Sequence, residues 1–523
     1  MAQQKSDGRT VPKGRRKPLQ TRGVESRAGG TASTVEQRAC QLGLRFGTAE
    51  VRSAKAGRVD GRAEDRARSS VRRATPKPKR TTRNVTLATM EEVVSRLREA
   101  FANVASNGGA PGPDRQTIDA VSRHLDETMT VLERSLIDGS YRVGAIRRVW
   151  IPKGGGGERG LGIPNVIDRV VQEAVRMVLE PVYEPTFHAS SHGFRPKRSC
   201  HTAIAEARGY LDEGHEVVVD LDLEKFFDRV HHQRLMARLA QRISDVGLLR
   251  LVGQMLKAKV VMPDGVKVST EEGVPQGGPL SPLLSNVVLD ELDRELERRG
   301  HRFVRYADDC NIYVRSERAG ERVMASVTDF IERRMRLKVN VSKSAVARPE
   351  ERHFLGFRLR REPMDGSVET LLSKRSKERI DETIRRLTPR NYGGRLSTCI
   401  AAMNAVLVGW IGFFGICTQR VESTLKDLDK HIRRRLRAVL VKQWKRRRTM
   451  VRNCIRRGVR PKTAWRGIYG ARKGPWALSH TPVIDRALDN AYFAQSGLVT
   501  LQALWKERQR AIAAPAQLTL GLA

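Results

Sequence analysis

The chain has 523 residues, with 97 Lys and Arg against 58 Asp and Glu, for a formal net charge of +39. So one-sided a balance calls for a polyanionic partner and favours nucleic acid over a membrane surface. At 39% hydrophobic residues the chain has enough apolar side chains to bury a core spread over two to four structural units, and it shows no apolar stretch long enough to span a bilayer.

Residues 1–85 are rich in Arg, Lys, Gly, Ser and Thr and carry no sustained periodicity, which predicts a disordered basic arm. No apolar signal core follows the basic N-terminus, and the six cysteines are dispersed without a C-x-x-C pair. Both features point to a reduced, cytoplasmic setting without zinc or disulfides. Over 86–140 an N-terminal helical extension is predicted. Met90, Val93, Val94, Leu97, Phe101 and Val104 recur at helical spacing until the turn-rich stretch Asn107 to Asp114.

Arg147 to Lys153 reads as a basic strand, followed by a turn of four glycines, 154–157. That run lacks the Lys-Ser/Thr ending of a phosphate-binding P-loop. Lys153 and Arg159 flank the hairpin tip, where two cations would clamp a triphosphate or stand as solvated surface charge. The next segment is an amphipathic helix with Ile167, Val170, Val171, Ala174, Val175, Val178 and Leu179 on one face and Pro181 as its stop. The loop Ser191 to Pro196 shows no chemistry of its own.

The segment 216–228 begins as a buried strand and runs into Asp220, Asp222, Glu224 and the pair Phe226-Phe227. Acids at the C-terminal end of an apolar strand are where sheets place ligand and metal groups. With a period of two, Asp220 and Asp222 share a face, so spacing does not choose between them. Residues 273–282 form a Gly/Pro-rich loop presenting Gln276 at the entrance of a helix that begins near Leu283. Tyr306-Ala307-Asp308-Asp309 then interrupts two short apolar runs and predicts a strand–turn–strand hairpin with two adjacent like charges at its tip.

A helix through Val323 and Ile331, a turn at 340–344 and an apolar hairpin strand Phe354 to Phe357 follow. From about 375 the pattern is helical, and the long apolar stretch 401–417, broken by Asn404, Gly409, Gly412 and Gly415, reads as a buried helix. Between Lys430 and Pro482 stand 18 Lys or Arg and no acid, interleaved with Trp444, Trp465, Tyr469 and Trp476. Such a one-signed field needs a polyanion to neutralise it, and the rings offer stacking surfaces. The candidate nucleic-acid contacts are Arg433, Arg434, Lys445, Arg446, Arg447, Arg448, Arg456 and Arg457.

An acid-bearing strand, a Pro-Gln-Gly loop and a Tyr-x-Asp-Asp hairpin in that order describe a polymerase palm. Nucleotidyl transfer uses two divalent ions roughly 4 Å apart, and carboxylates from two strands can hold them. The motifs IPK-GGGxR-LGIP at 151–164, SHGFRP at 191, DLEKFFD at 222, GVPQGGPLSPLLSN at 273, YADD at 306 and HFLGF at 353 closely resemble those of bacterial group II intron reverse transcriptases, or maturases, over about residues 90–505.

The resemblance implies an α+β right-hand polymerase followed by an all-helical domain. Fingers and palm with antiparallel sheet would occupy 141–362, a helical thumb/maturase domain 370–445, and its basic nucleic-acid-binding part 446–510. It implies Asp222, Asp308 and Asp309 as catalytic ligands of two Mg2+ ions, Phe227 as the residue excluding a 2′-hydroxyl, and Gln276, Lys153 and Arg159 around the incoming dNTP. Lys343 would protonate the leaving pyrophosphate. Intron RNA, an RNA template and a DNA primer or target are the implied partners, with monomer and dimer both open.

One departure is visible: the usual Arg-Pro-Leu-Gly is Arg159-Gly160-Leu161-Gly162, which bears on how Arg159 is placed. Many relatives continue into a Cys- and His-rich endonuclease, and the expectation here is the compact lineage without it. The alternatives are an RNA-binding splicing factor in which polymerisation is vestigial, and a domesticated or retron-like reverse transcriptase in phage defence.

Overall fold

The computed structural model describes residues 88–152, 157–418, 420–470 and 474–513. The expectations for the arm 1–85, for Lys153 and for most of the glycine run therefore fall outside the described residues. The chain opens with α1 (Met90–Ser95) and α2 (Leu97–Ser106). They form one apolar pattern in sequence but two helices in space, because Arg96 leaves helical geometry at ψ −4°. Two more helices, α3 (Ile118–Arg123) and α4 (Leu125–Ile137), complete this first part.

Strands β1 (Ile146–Pro152) and β2 (Glu158–Ile163) pair antiparallel from Arg147↔Ile163 to Pro152↔Glu158. Then come α5 (Val166–Tyr183), α6 (Cys200–Asp212), β3 (Val217–Leu221), α7 (His232–Ala240) and α8 (Val246–Leu256). Short strands β4 (Val260–Val261) and β5 (Lys267–Val268) extend the first sheet to the order β2-β1-β4-β5. After α9 (Ser281–Arg298) come β6 (Arg302–Tyr306), β7 (Asp309–Val314), α10 (Glu317–Asp329) and β8 (Ala345–Ala347), giving the central sheet β6-β7-β3-β8. A final ribbon joins β9 (Phe357–Arg361) to β10 (Val368–Leu372).

The central sheet is buried on both faces, and β3 shows why its sequence is a run of valines and not an alternation. Val217, Val219 and Leu221 point into one core with Val323 and Val327 of α10, and Val218 points into a second with Ala203 and Ile204 of α6. Each such side chain contributes about 1.5–3 kcal/mol relative to exposure. The second core continues into the helices α11 (Lys374–Leu387), α12 (Leu396–Phe414), α13 (Val421–Gln443), α14 (Arg447–Arg456) and α15 (Pro461–Tyr469). The short α16 (Pro475–Leu478), α17 (Pro482–Ala487) and α18 (Asn490–Gln495) lead to α19 (Leu501–Ala513). The fold is thus α+β followed by an all-helical part.

Four local expectations need correction. Pro181 does not stop α5, which runs two residues further to Tyr183. Pro181 gives up the one N–H that would reach the Met177 carbonyl, and it stands so near the end that only Val182 and Tyr183 follow it in the helix. Helix α9 begins at Ser281, before Leu283, because Pro282 falls in the first turn, where its missing N–H would be unpaired anyway. The segment Phe354 to Phe357 is a tight turn and not a strand. Phe354 and Phe357 exchange backbone hydrogen bonds of 2.9 Å around Leu355 (φ 53°) and Gly356 (φ 90°), the geometry of a two-residue hairpin turn.

Helix α12 is only half buried. Cys399, Ile400, Met403, Leu407 and Ile411 face the core, while Ala401, Ala402, Ala405 and Val408 stand open. By length and composition alone it would cross a bilayer, contrary to the expectation that no stretch could. Hydropathy averages along the chain, and the small residues that weaken it are not charges.

Candidate active site and nucleic-acid surface

Strands β6 and β7 close on each other at Tyr306↔Asp309, so Ala307 and Asp308 alone make the turn. Ala307 takes a left-handed backbone, φ 56°, with no glycine to ease it, a conformation of order 1 kcal/mol that the surroundings must hold. They hold it from beneath. The Arg305 guanidinium, fully buried, donates to the Ala307 carbonyl at 2.9 Å, to both Asp293 oxygens at 2.6 Å, to Asn286 Oδ1 at 3.0 Å and to Ser191 Oγ at 2.7 Å.

The loop 190–193 runs along the free edge of β6. Arg305 N donates to the Ser190 carbonyl (2.9 Å), and His192 N donates to the Arg305 carbonyl (2.8 Å). Its position is fixed from behind: His192 Nε2 lies 2.7 Å from Glu206 and Nδ1 lies 2.8 Å from Thr202. Burial raises the Glu206 pKa, but hydrogen bonds from His192, Ser190 and Tyr210 outweigh it and hold the carboxylate below its usual range. Gly193 comes so close to the turn that a Cβ there would sit 2.2 Å from Ala307 N. The segment assigned no chemistry in the sequence is a backing for the acidic turn.

The register of β3 on β7 ends at Leu221↔Cys310, which brings the next residue, Asp222, level with Asp309. The backbone of Asp222 is fixed by Ser344 Oγ (3.0 Å) and Asn340 N (2.8 Å), and its Oδ2 accepts from Lys343 Nζ at 3.1 Å. Asp220, the other acid on that face, is engaged by Arg352 at 2.7 Å. Burial, reinforced by Asp222, raises the Asp308 carboxyl, while Arg159 and Lys343 oppose the shift. Desolvation by the surrounding protein, then Asp308, Asp220 and Asp222, pushes Asp309 up to about 7, although the residue itself is exposed to solvent.

Gln276 and Arg159 meet: the Arg159 Nε donates to Gln276 Oε1 at 2.8 Å, and the Gln276 carbonyl accepts from Gly162 N at 2.7 Å. Gly160 therefore leaves Arg159 in an ordinary strand position, paired with Ile151. Phe227 lies in a single turn, Phe226–Asp228, entered through a left-handed Lys225, and its carbonyl accepts from Val274 N of the Pro-Gln-Gly loop at 2.6 Å. Asp222, Asp308, Asp309 and Lys343 thus share the end of the central sheet, and Arg159 is near enough to act on Asp308. Phe227 and Gln276 are joined through the loop 273–278.

Among the described residues no three His, Cys, Asp or Glu groups enclose an ion by themselves. An all-carboxylate set under mutual repulsion still suits a hard divalent cation, which takes one or two protein carboxylates and completes its shell with water and phosphate oxygens.

The candidate nucleic-acid residues divide. Lys445, Arg446, Arg448 and Arg456 are exposed. Arg434 lies over Trp476 at 4.2 Å, and Arg457 lies over Trp444 at 5.4 Å and Tyr492 at 5.2 Å. Arg447 donates to the Ile468 carbonyl at 2.9 Å, and Arg433 is half-buried. Arg305, Asp293, Gly193 and Arg352 are the functional neighbours that sequence reasoning passed over. The available signal was Arg305 itself, a cation directly after the apolar pair Phe303-Val304 in the strand leading to the acidic turn.

A sheet bearing acids at one end, a hairpin of two aspartates and a loop closing over them define a template-directed polymerase palm. The reverse transcriptase (RNA-dependent DNA polymerase) family model matches residues 151–359, and the group II intron maturase-specific domain matches 377–458. Protein YkfC of Escherichia coli K12 is 32% identical over 345 residues, covering 58% of this chain and 88% of YkfC. The group II intron-encoded protein LtrA of Lactococcus lactis subsp. cremoris is 39% identical over 198 residues, 37% of this chain and 32% of LtrA. A putative COX1/OXI3 intron 2 protein of Saccharomyces cerevisiae is 35% identical over 202 residues, 38% of this chain and 23% of its own.

The chain belongs to the group II intron reverse transcriptases, RNA-directed DNA polymerases that carry a maturase domain and work on nucleic acid with divalent metal ions. The matched stretch spans about a third of LtrA.

Proposed function

We propose that the protein copies RNA into DNA with two Mg2+ ions held by Asp222, Asp308 and Asp309, and that its helical domain binds the intron RNA to assist splicing and mobility in the cytoplasm. Bound there, the ions supply an acidified primer 3′-hydroxyl and charge neutralisation on the departing pyrophosphate. The chain supplies the rest. Ala307's strained turn, braced by Arg305 and Gly193, aims Asp308 and Asp309 at Asp222. Arg159, steadied by Gln276, and Lys153 receive the triphosphate of a dNTP. Phe227, fixed by its backbone bond to the loop, closes the space a 2′-hydroxyl would need. Lys343, resting on Asp222, stands ready to protonate pyrophosphate.

The observation that carries this reading is the shared register of Asp222 with Asp309 beside the Ala307-Asp308 turn. Primer extension on an RNA template tests it. Asp308→Asn should abolish dNTP incorporation while RNA binding by the basic helices persists, and an active Asp308→Asn protein overturns it.

A further inference from the structure

The face of α15 that looks away from the core carries Lys462, Trp465, Arg466 and Tyr469 in the open, while Ala464 and Ile468 anchor its other side. Trp465 and Tyr469 are large aromatics left 46% and 42% exposed, and their rings stack on each other at 5.0 Å with 25° between planes. Arg447 lies over the Tyr469 ring at 5.9 Å and is itself held by the carbonyl of Ile468. Cation, tyrosine and tryptophan form one preformed stack before any partner arrives, with Trp465 its more exposed member. The adjoining helix α14 adds the exposed cations Arg448, Arg452 and Arg456, and the sequence holds no acid from Lys430 to Pro482.

A tryptophan held open in that setting costs free energy in water unless a partner covers it. A protein partner would cover it with apolar surface but would also have to supply many acids. A nucleic-acid duplex would satisfy the charge yet keeps its base faces turned inward, out of reach of a ring. An unpaired strand offers both an open base face and phosphates. We propose that Trp465 is a stacking platform for an unpaired base of RNA, with Arg448, Lys462 and Arg466 receiving the flanking phosphates. This rests on the reading of the helical domain as binding intron RNA, which selects RNA over DNA.

The full chain is titrated with an unstructured RNA 12-mer, the matching DNA 12-mer and a blunt RNA duplex of equal length, each at several salt concentrations. Trp465→Ala should weaken the RNA 12-mer about tenfold or more and leave its salt slope and the duplex affinity unchanged. Trp465→Phe should restore most of the loss. Arg466→Ala should weaken 12-mer and duplex alike and lower the 12-mer's salt slope by about 0.7.

An unchanged 12-mer affinity in Trp465→Ala, or an equal loss on the duplex, overturns the platform. An equal loss on the DNA 12-mer, bound as tightly, overturns the assignment to RNA. Thermal melting guards against misfolding, since an exposed ring should leave the melting temperature where it is. Primer extension on a pre-annealed template and primer separates the two readings: its failure in the unaltered protein would defeat the polymerase while leaving the platform standing.

Discussion

Arg305 and Asp293 form a bidentate ion pair at 2.6 Å from which solvent is wholly excluded, and the same guanidinium holds the carbonyl of Ala307 at the tip of the acidic turn. The pair is expensive to desolvate and more expensive to break. Asp293→Asn leaves a buried guanidinium with half its partner, and the expected cost is about 3–5 kcal/mol, read as a large fall in the melting temperature. Replacing both residues by Leu and Met should recover much of that stability. It should not recover primer extension, because the Ala307 carbonyl has lost its donor. A double variant that is both stable and fully active would show that the pair serves the core alone.

Gly193 makes the complementary prediction. Its φ is unremarkable, so alanine costs nothing in backbone conformation, but the added Cβ would fall 2.2 Å from Ala307 N and 2.9 Å from the Tyr306 carbonyl carbon, both backbone atoms with little room to yield. The turn must shift, and displacing catalytic groups by about 1 Å can cost 10²-fold. Gly193→Ala should therefore lose about two orders of magnitude in dNTP incorporation while RNA-binding affinity stays at its original value. Equal losses in both measurements would count against a local effect.

How the site was legible in sequence follows from the range of the contacts. Asp308 and Asp309 stand at the tip of a hairpin whose strands, Arg302–Tyr306 and Asp309–Val314, are short and almost continuously buried, so two apolar runs around a turn were enough to find the hairpin. The strand β3 was equally plain, but the choice between Asp220 and Asp222 was not, because both lie on one face and the residue that separates them, Arg352, is 132 positions from Asp220. The loop 190–193 looked empty for the same reason: its partners are in β6 and α9, about a hundred residues on. Pro181 and the turn at Leu355 misled in the opposite sense, since there a local preference was overridden by the helix or hairpin around it.

Arg352 thus carries a testable consequence. It donates to Asp220 through Nε at 2.8 Å and also to the backbone carbonyl of Lys343, so it both neutralises the second acid and steadies the loop that sets Lys343 on Asp222. Arg352→Gln frees a fourth carboxylate beside the other three. Primer extension should fall at least tenfold, and the magnesium dependence should shift. Adding Asp220→Asn removes the freed charge and should restore a large part of the loss. If the double variant is no better than Arg352→Gln, the role of Arg352 lies only in holding the Lys343 loop.

Acidity gives a prediction with a definite sign. Asp309 is pushed up to about 7, first by burial and then by Asp308, Asp220 and Asp222, whereas an unfolded-chain Asp titrates near 3.9. The folded protein therefore holds this proton more tightly than the unfolded chain. Below about pH 4 the group is protonated in both states and costs nothing. As pH rises towards 7 the folded state pays an increasing penalty, complete above the folded pKa. A divalent cation binds the ionised form and removes the repulsion, releasing the proton it displaces. Mg2+ should consequently raise the melting temperature more at pH 8 than at pH 6. Asp309→Asn should make the metal-free protein more stable at pH 8 and flatten its Mg2+ response. A Mg2+ shift of equal size at both pH values, or one undiminished in Asp309→Asn, would place the ion elsewhere than on this carboxylate.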